Sequence, residues 1–106
     1  MDMTSEESSD QRVTQAYIRL FLVPEDKDGS RTLSLERVGQ YEVRMVECSQ
    51  IGFADTPLFW MELYAHDVQM AIDSCACHEL EEAVIAVEEL ISQAKRLNKC
   101  RARRNA

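Results

Sequence analysis

The stretch HELEEAVIAVEELISQAKRLN, residues 78–98, decides the fold. Leu80, Val84, Val87, Leu90, Ile91, Ala94 and Leu97 return at three- and four-residue spacing, which at about 100° per residue gathers them into one apolar stripe. Glu81, Glu82, Glu88, Glu89, Ser92, Gln93 and Arg96 cover the other side. Acids fill the first half and bases close the last turn, matching the helix macrodipole. An amphipathic helix of this length must bury its stripe against a sheet or another helix, so the preceding residues have to supply one. Ile85 is the exception to the pattern, an aliphatic residue in the middle of the acidic face.

Upstream of the helix the apolar period changes to two. In LFWMELYAH (58–66), Phe59, Met61, Leu63 and Ala65 face one way, and Trp60, Glu62, Tyr64 and His66 the other. Tyr41, Val43 and Met45 alternate with Glu42 and Arg44, giving a strand that runs to about Cys48. A turn near Asp67 returns the chain as a further strand over 69–75, with Met70 and Ile72 on the core face and Asp73 and Cys75 opposite. EDKDGSR (25–31) and SQIGFADTP (49–57) are loops by their Gly, Pro and Asp content. Consecutive strands with short connections predict an antiparallel meander. The segment 13–23 reads two ways. Val13, Ala16, Tyr17 and Leu20 form a helix face, whereas Ile18, Leu20 and Leu22 alternate as in a strand.

These patterns predict an α+β fold: a three- or four-stranded antiparallel sheet packed against one long C-terminal amphipathic helix. The expected core is Val43, Met45, Phe59, Met61, Leu63, Met70, Ile72, Leu80, Val84, Val87, Leu90 and Ile91. At 106 residues the chain has room for one domain, placed over 13–98. Residues 1–12 offer almost nothing to bury and read as a disordered acidic lead-in; 99–106 read as a basic tail. No internal repeat is visible.

The net charge of −7 conceals an asymmetry. The last twelve residues hold six of the 12 bases and no acid, leaving six bases against 19 acids, a net of −13, in residues 1–94. An acidic body repels phosphate and anionic lipid. No apolar run approaches the roughly 20 residues that cross a bilayer, so no membrane partner is expected. The acidic start lacks the basic and apolar regions of an export signal. The expected compartment is therefore cytoplasmic, with the four cysteines kept as thiols.

Chemistry-bearing residues are densest at Cys75-Ala76-Cys77-His78. Thiolate and imidazole suit a transition metal, and alternate residues of an extended chain lie on one face about 6–7 Å apart. Cys75, Cys77 and His78 are thus candidate metal ligands, with a fourth from His66, Cys48 or Cys100. A thiol near a helix start also suits redox chemistry. Against both stands the single-residue gap, where structural zinc sites use two to four. The competing reading makes the cysteines small strand-end residues and puts His78 near the helix N-cap. His66 and His78 are the only histidines, nothing local orients either as a general base, and no glycine-rich phosphate loop exists. No catalytic set and no cofactor are implied.

A sheet face that binds nucleic acid needs rows of Lys and Arg. The expected exposed positions are Glu42, Arg44, Trp60, Glu62, Tyr64 and Asp73, one base among three acids. Only the tail from Lys95 to Arg104 favours such a partner. The run CxxLEEAVxAxExxI, Cys77 to Ile91, resembles small bacterial proteins to which no activity attaches, and the resemblance implies no site residue. The leading expectation is a non-enzymatic interaction or self-association module, a homodimer or a protein-binding domain, with Trp60, Tyr64 and Ile85 as interface candidates. The alternatives are a nucleic-acid-associated regulator using the basic tail and a metal or redox site at Cys75, Cys77 and His78.

Overall fold

The computed structural model describes residues 8–25, 30–47 and 57–105. Helix α1 (Ser9–Leu20) is followed by strands β1 (Thr32–Val38), β2 (Tyr41–Glu47), β3 (Phe59–Ala65) and β4 (Met70–Cys77), and then helix α2 (Leu80–Asn105). The strands form one antiparallel sheet in the order β1-β2-β3-β4. The α+β meander with a long C-terminal helix on one face is as the periodicities predict.

The ambiguous segment 13–23 is resolved as helix over most of its length. Val13, Ala16 and Leu20 are buried, and Tyr17 packs against the core with its ring 5.4 Å from that of Phe59. Three-dimensional cover favours the helical reading, because a strand here would strand half of these side chains in water. The Ser8 side chain caps α1 by accepting from the Gln11 N–H at 3.2 Å. Residues 9–12, expected in the lead-in, are therefore helical, while 1–7 lie outside the described residues. At the other end α2 runs on to Asn105, so the backbone expected to be a separate tail continues the helix. Cys48, residues 26–29 of the first predicted loop and residues 49–56 of the second also lie outside the described residues.

β1 escaped the sequence reading, although Leu33 and Leu35 do alternate with polar neighbours. Its pairing with β2 shifts between Ser34 and Glu36, which leaves Leu35 as an extra residue. The β1–β2 turn is tight. Gly39 adopts φ +60°, and a Cβ there would meet the Asn98 side chain at 2.1 Å, so the turn needs glycine both for its backbone and for the passage of α2.

The core lies between the helices and one sheet face. Tyr41, Val43 and Met45 of β2 and Phe59, Met61, Leu63 and Ala65 of β3 are buried, under Ala83, Ala86, Val87, Leu90 and Ala94 of α2. Leu80, Val84, Ile91 and Leu97 pack at the margins. Two expected core residues do not belong: Met70 is 56% exposed and Ile72 42%. Met70, paired with Ala65, is on the helix side but uncovered; for Ile72 the cause is a register shift. Leu63 pairs with Asp73 and Tyr64 with Ala71, so Ile72 is the extra residue of a bulge. Alternation inverts beyond it, and Asp73, Cys75 and Cys77, paired with Leu63, Met61 and Phe59, lie on the helix side of the sheet. Helix cover over β4 is thin, since its first six residues are all exposed.

Leu63→Ala and Leu90→Ala are each expected to cost about 2–5 kcal/mol in denaturant unfolding. Met70→Ala and Ile72→Ala should stay within about 0.5 kcal/mol of wild type when measured on dilute protein.

Candidate interaction surface

β4 is the free edge of the sheet, and among the described residues no strand or loop pairs with its outer side. Its sequence, MAIDSCAC, holds one charge, Asp73, and no Lys, Arg or Pro. The opposite edge is built differently. β1 carries Glu36 and Arg37, and Arg12 of α1 reaches it, donating to the Leu35 carbonyl and to the Glu36 carboxylate at 2.7 Å each. Charges and covering groups of that kind discourage strand addition. β4 has the bulge and Asp73 as its defences and otherwise presents Met70, Ala71 and Ile72 to solvent.

Between β4 and α2 runs a groove of about 260 Å³, lined by Asp73, Ser74, Cys75, Ala86, Leu90 and Gln93, with Glu89 at its rim. A second, shallower depression follows the solvent side of α2 past Ile85, Glu88, Ser92 and Arg96. Ile85 is 60% exposed, as its position on the acidic face requires.

The outer sheet face is polar and internally paired. Arg44 of β2 donates through Nε to Glu62 Oε2 at 2.8 Å, adds a second, shorter bond from Nη2, and lies 4.0 Å above the Tyr64 ring. The His66 ring nitrogen Nε2 is 2.8 Å from Glu42 Oε1, and the His66 ring meets Tyr64 edge-on. Burial alone would raise the Glu42 pKa. Hydrogen bonds from Ser34 and His66 and the charge of Arg44 outweigh it, and the carboxyl is held below its ordinary value of 4.5. Trp60 is 39% exposed on this face. The interface candidates are thus divided: Trp60 and Tyr64 stand on the outer sheet face and Ile85 on the helix layer. They form no common patch. Asp73, expected among the outer residues, is on the helix side.

The Cys75–His78 segment is split as well. Cys77 is fully buried in the core, and burial together with the neighbouring Cys75 pushes its thiol up to about 12. A thiol held so high stays protonated and is a poor redox nucleophile. Cys75 is exposed at the groove. His78 donates its backbone N–H to Glu82 Oε1 at 2.6 Å, and Glu79 does the same at 3.2 Å. The two backbone bonds lower the Glu82 pKa and satisfy amides at the start of α2. Among the described residues no three His, Cys, Asp or Glu side chains converge on a point.

The basic end of α2 is partly committed. Arg101 is ion-paired with Asp67 in the β3–β4 turn, and that hydrogen bond holds the Asp67 carboxyl below its usual range. Arg44, the base of the outer sheet face, is occupied by Glu62. Neither is free for phosphate. Among the described residues no helix is long and apolar enough to cross a membrane. The chain matches no protein-family model, no curated protein and no solved structure.

Sequence reasoning missed the bare β4 edge and the Arg101–Asp67 tie. The first was signalled: the last strand of a meander is an edge, and Met70-Ala71-Ile72 is an apolar run upon it. The second had no local signal, since 34 residues separate the partners.

Iodoacetamide is expected to modify Cys75 in the native protein and to reach Cys77 only on unfolding, read by peptide mass mapping. Glu42→Gln should destabilise by about 0.5–1.5 kcal/mol at neutral pH. A carboxyl with a lowered folded pKa contributes stability above its unfolded value and loses it as pH falls through the folded one. The difference between wild type and Glu42→Gln should therefore be intact at about pH 5 and shrink with further acidification, as followed by urea unfolding.

Proposed function

We propose that this chain is a non-enzymatic self-association module, a homodimer in which β4 of one copy adds to β4 of the other. The observation that carries the reading is the contrast between the two sheet edges. One is closed by Arg12, Glu36 and Arg37; the other is an eight-residue strand whose first six residues are exposed. Antiparallel pairing of β4 with itself is self-complementary about a two-fold axis and makes one continuous sheet across both copies. It satisfies the unpaired edge amides and carbonyls and gives Met70 and Ile72 apolar neighbours. The groove beside α2 leaves space for side chains of the added strand. The reading places the protein in the cytoplasm, where the thiols of Cys75, Cys77 and Cys100 stay reduced. The paired polar face and the buried, protonated Cys77 favour this over nucleic-acid binding or redox chemistry.

Sedimentation velocity tests it. A concentration-dependent shift from monomer to dimer is expected in the micromolar range, and Ile72→Lys should weaken association at least about tenfold by setting like charges on the edge. Strict monomers at high micromolar concentration would overturn the reading, as would a dimer indifferent to Ile72→Lys.

A further inference from the structure

The solvent face of α2 carries charges that have no ion-pair partner among the described residues. Glu88, Glu89, Lys95, Arg96 and Lys99 are all exposed, and none makes an ion pair among the described residues. Helices that stabilise themselves place Glu four residues before Lys or Arg. Here the residues four after Glu88 and Glu89 are Ser92 and Gln93, and those four before Lys95 and Arg96 are Ile91 and Ser92. The acids and bases are segregated instead of interleaved.

The segregation has a centre. Glu88 and Glu89 stand four and three residues before Ser92; Lys95 and Arg96 stand three and four after it. Further out, Ile85 lies seven before and Lys99 seven after. Rotating the helix end for end about Ser92 therefore superposes each acid on a base, and the apolar Ile85 on the aliphatic stem of Lys99. A pattern of this kind is neutralised by an antiparallel copy of the same helix and repelled by a parallel one.

From this we infer that the partner helix of α2 is α2 of a second copy, running antiparallel and crossing near Ser92, with Glu88 and Glu89 of each copy facing Lys95 and Arg96 of the other. The inference rests on the self-association proposed above and specifies its second surface. The two surfaces are contiguous, because the groove joining Asp73, Ser74 and Cys75 to Ala86, Leu90 and Gln93 lies between them. The charged face centred on Ser92 lies opposite the buried stripe of α2, so this contact is made on the side of the helix turned away from the sheet. Ser92, small and neutral, suits the crossing. The contact also explains how bodies with a net of −13 over residues 1–94 approach one another: each brings its own basic segment to the other's acids.

The test uses two charge-reversed full-length chains, Glu88→Arg/Glu89→Arg and Lys95→Glu/Arg96→Glu, studied by sedimentation equilibrium separately and mixed. Each alone should self-associate at least about tenfold more weakly than wild type, because like charges then face each other twice. An equimolar mixture should give a one-to-one heterodimer, which misfolded chains would not form. The chain carrying all four reversals has the wild-type net charge and should return to within about threefold of wild-type affinity. Wild-type association should itself weaken as salt rises from about 50 to about 500 mM. Single variants that dimerise as wild type does would overturn this α2 contact and leave β4 pairing intact. Weakened variants that neither form the heterodimer nor recover in the fourfold chain would also overturn it. A charge-dependent dimer indifferent to Ile72→Lys would overturn the β4 reading and leave α2 pairing intact. A monomeric wild type at every concentration would overturn both.

Discussion

Burial of the α2 stripe on β2 and β3 organises the molecule. Ala83, Ala86 and Ala94 are small enough to bring the helix backbone near the sheet, and Val87 and Leu90 share one buried cluster with Met45, Met61 and Leu63. Each large apolar side chain removed from water there contributes about 1.5–3 kcal/mol. Once α2 is seated, the other contacts have little freedom. Gly39 has to be a glycine because Asn98 passes over it, Cys77 is closed off in the core, and α1 packs against α2 and the sheet. Arg101 then ties the far end of α2 to Asp67, fixing the helix at both ends of its path across the sheet.

The same seating leaves one side incomplete. Two helices cover the inner surfaces of β1, β2 and β3, and the layer thins over β4, where only Cys77 is buried. The uncovered strand is the one with a bulge, so its side chains no longer alternate in phase with β3, and Asp73 and Cys75 face the space where further cover would lie. The polar outer face shows the opposite economy. Arg44, Glu62, Glu42, His66 and Tyr64 satisfy one another across β2 and β3, and half-buried charges of this kind are costly to leave unpaired. A surface already paired with itself is a poor place to bind anything else. Unmet demand is concentrated where β4 and the solvent side of α2 adjoin.

Local periodicity carried most of the architecture. The three-to-four spacing from Leu80 to Leu97 and the alternation from Phe59 to Ala65 record which side chains must avoid water, and water is present whatever the fold. Charge order on α2 belongs with these, since the placement of Glu88, Glu89, Lys95 and Arg96 around Ser92 is a property of the sequence once the segment is helical. The helical choice for 13–20 was legible as one of two patterns. Selecting between them needed the core, because Val13, Ala16 and Leu20 satisfy a helix face only if a sheet lies beneath them.

What only the tertiary structure decided are the features that depend on where elements end and what lies across from them. Met70 and Ile72 have the composition of core residues, yet a one-residue bulge and the limited width of the helix layer put them in solvent. Trp60, Tyr64 and Ile85 are individually accessible, but the sheet stands between them. Cys75 and Cys77 share a face and differ in fate, since only the second reaches the buried core. Sequence periodicity states that a side chain prefers an interior. Whether an interior exists at that place is set by the packing of segments distant along the chain.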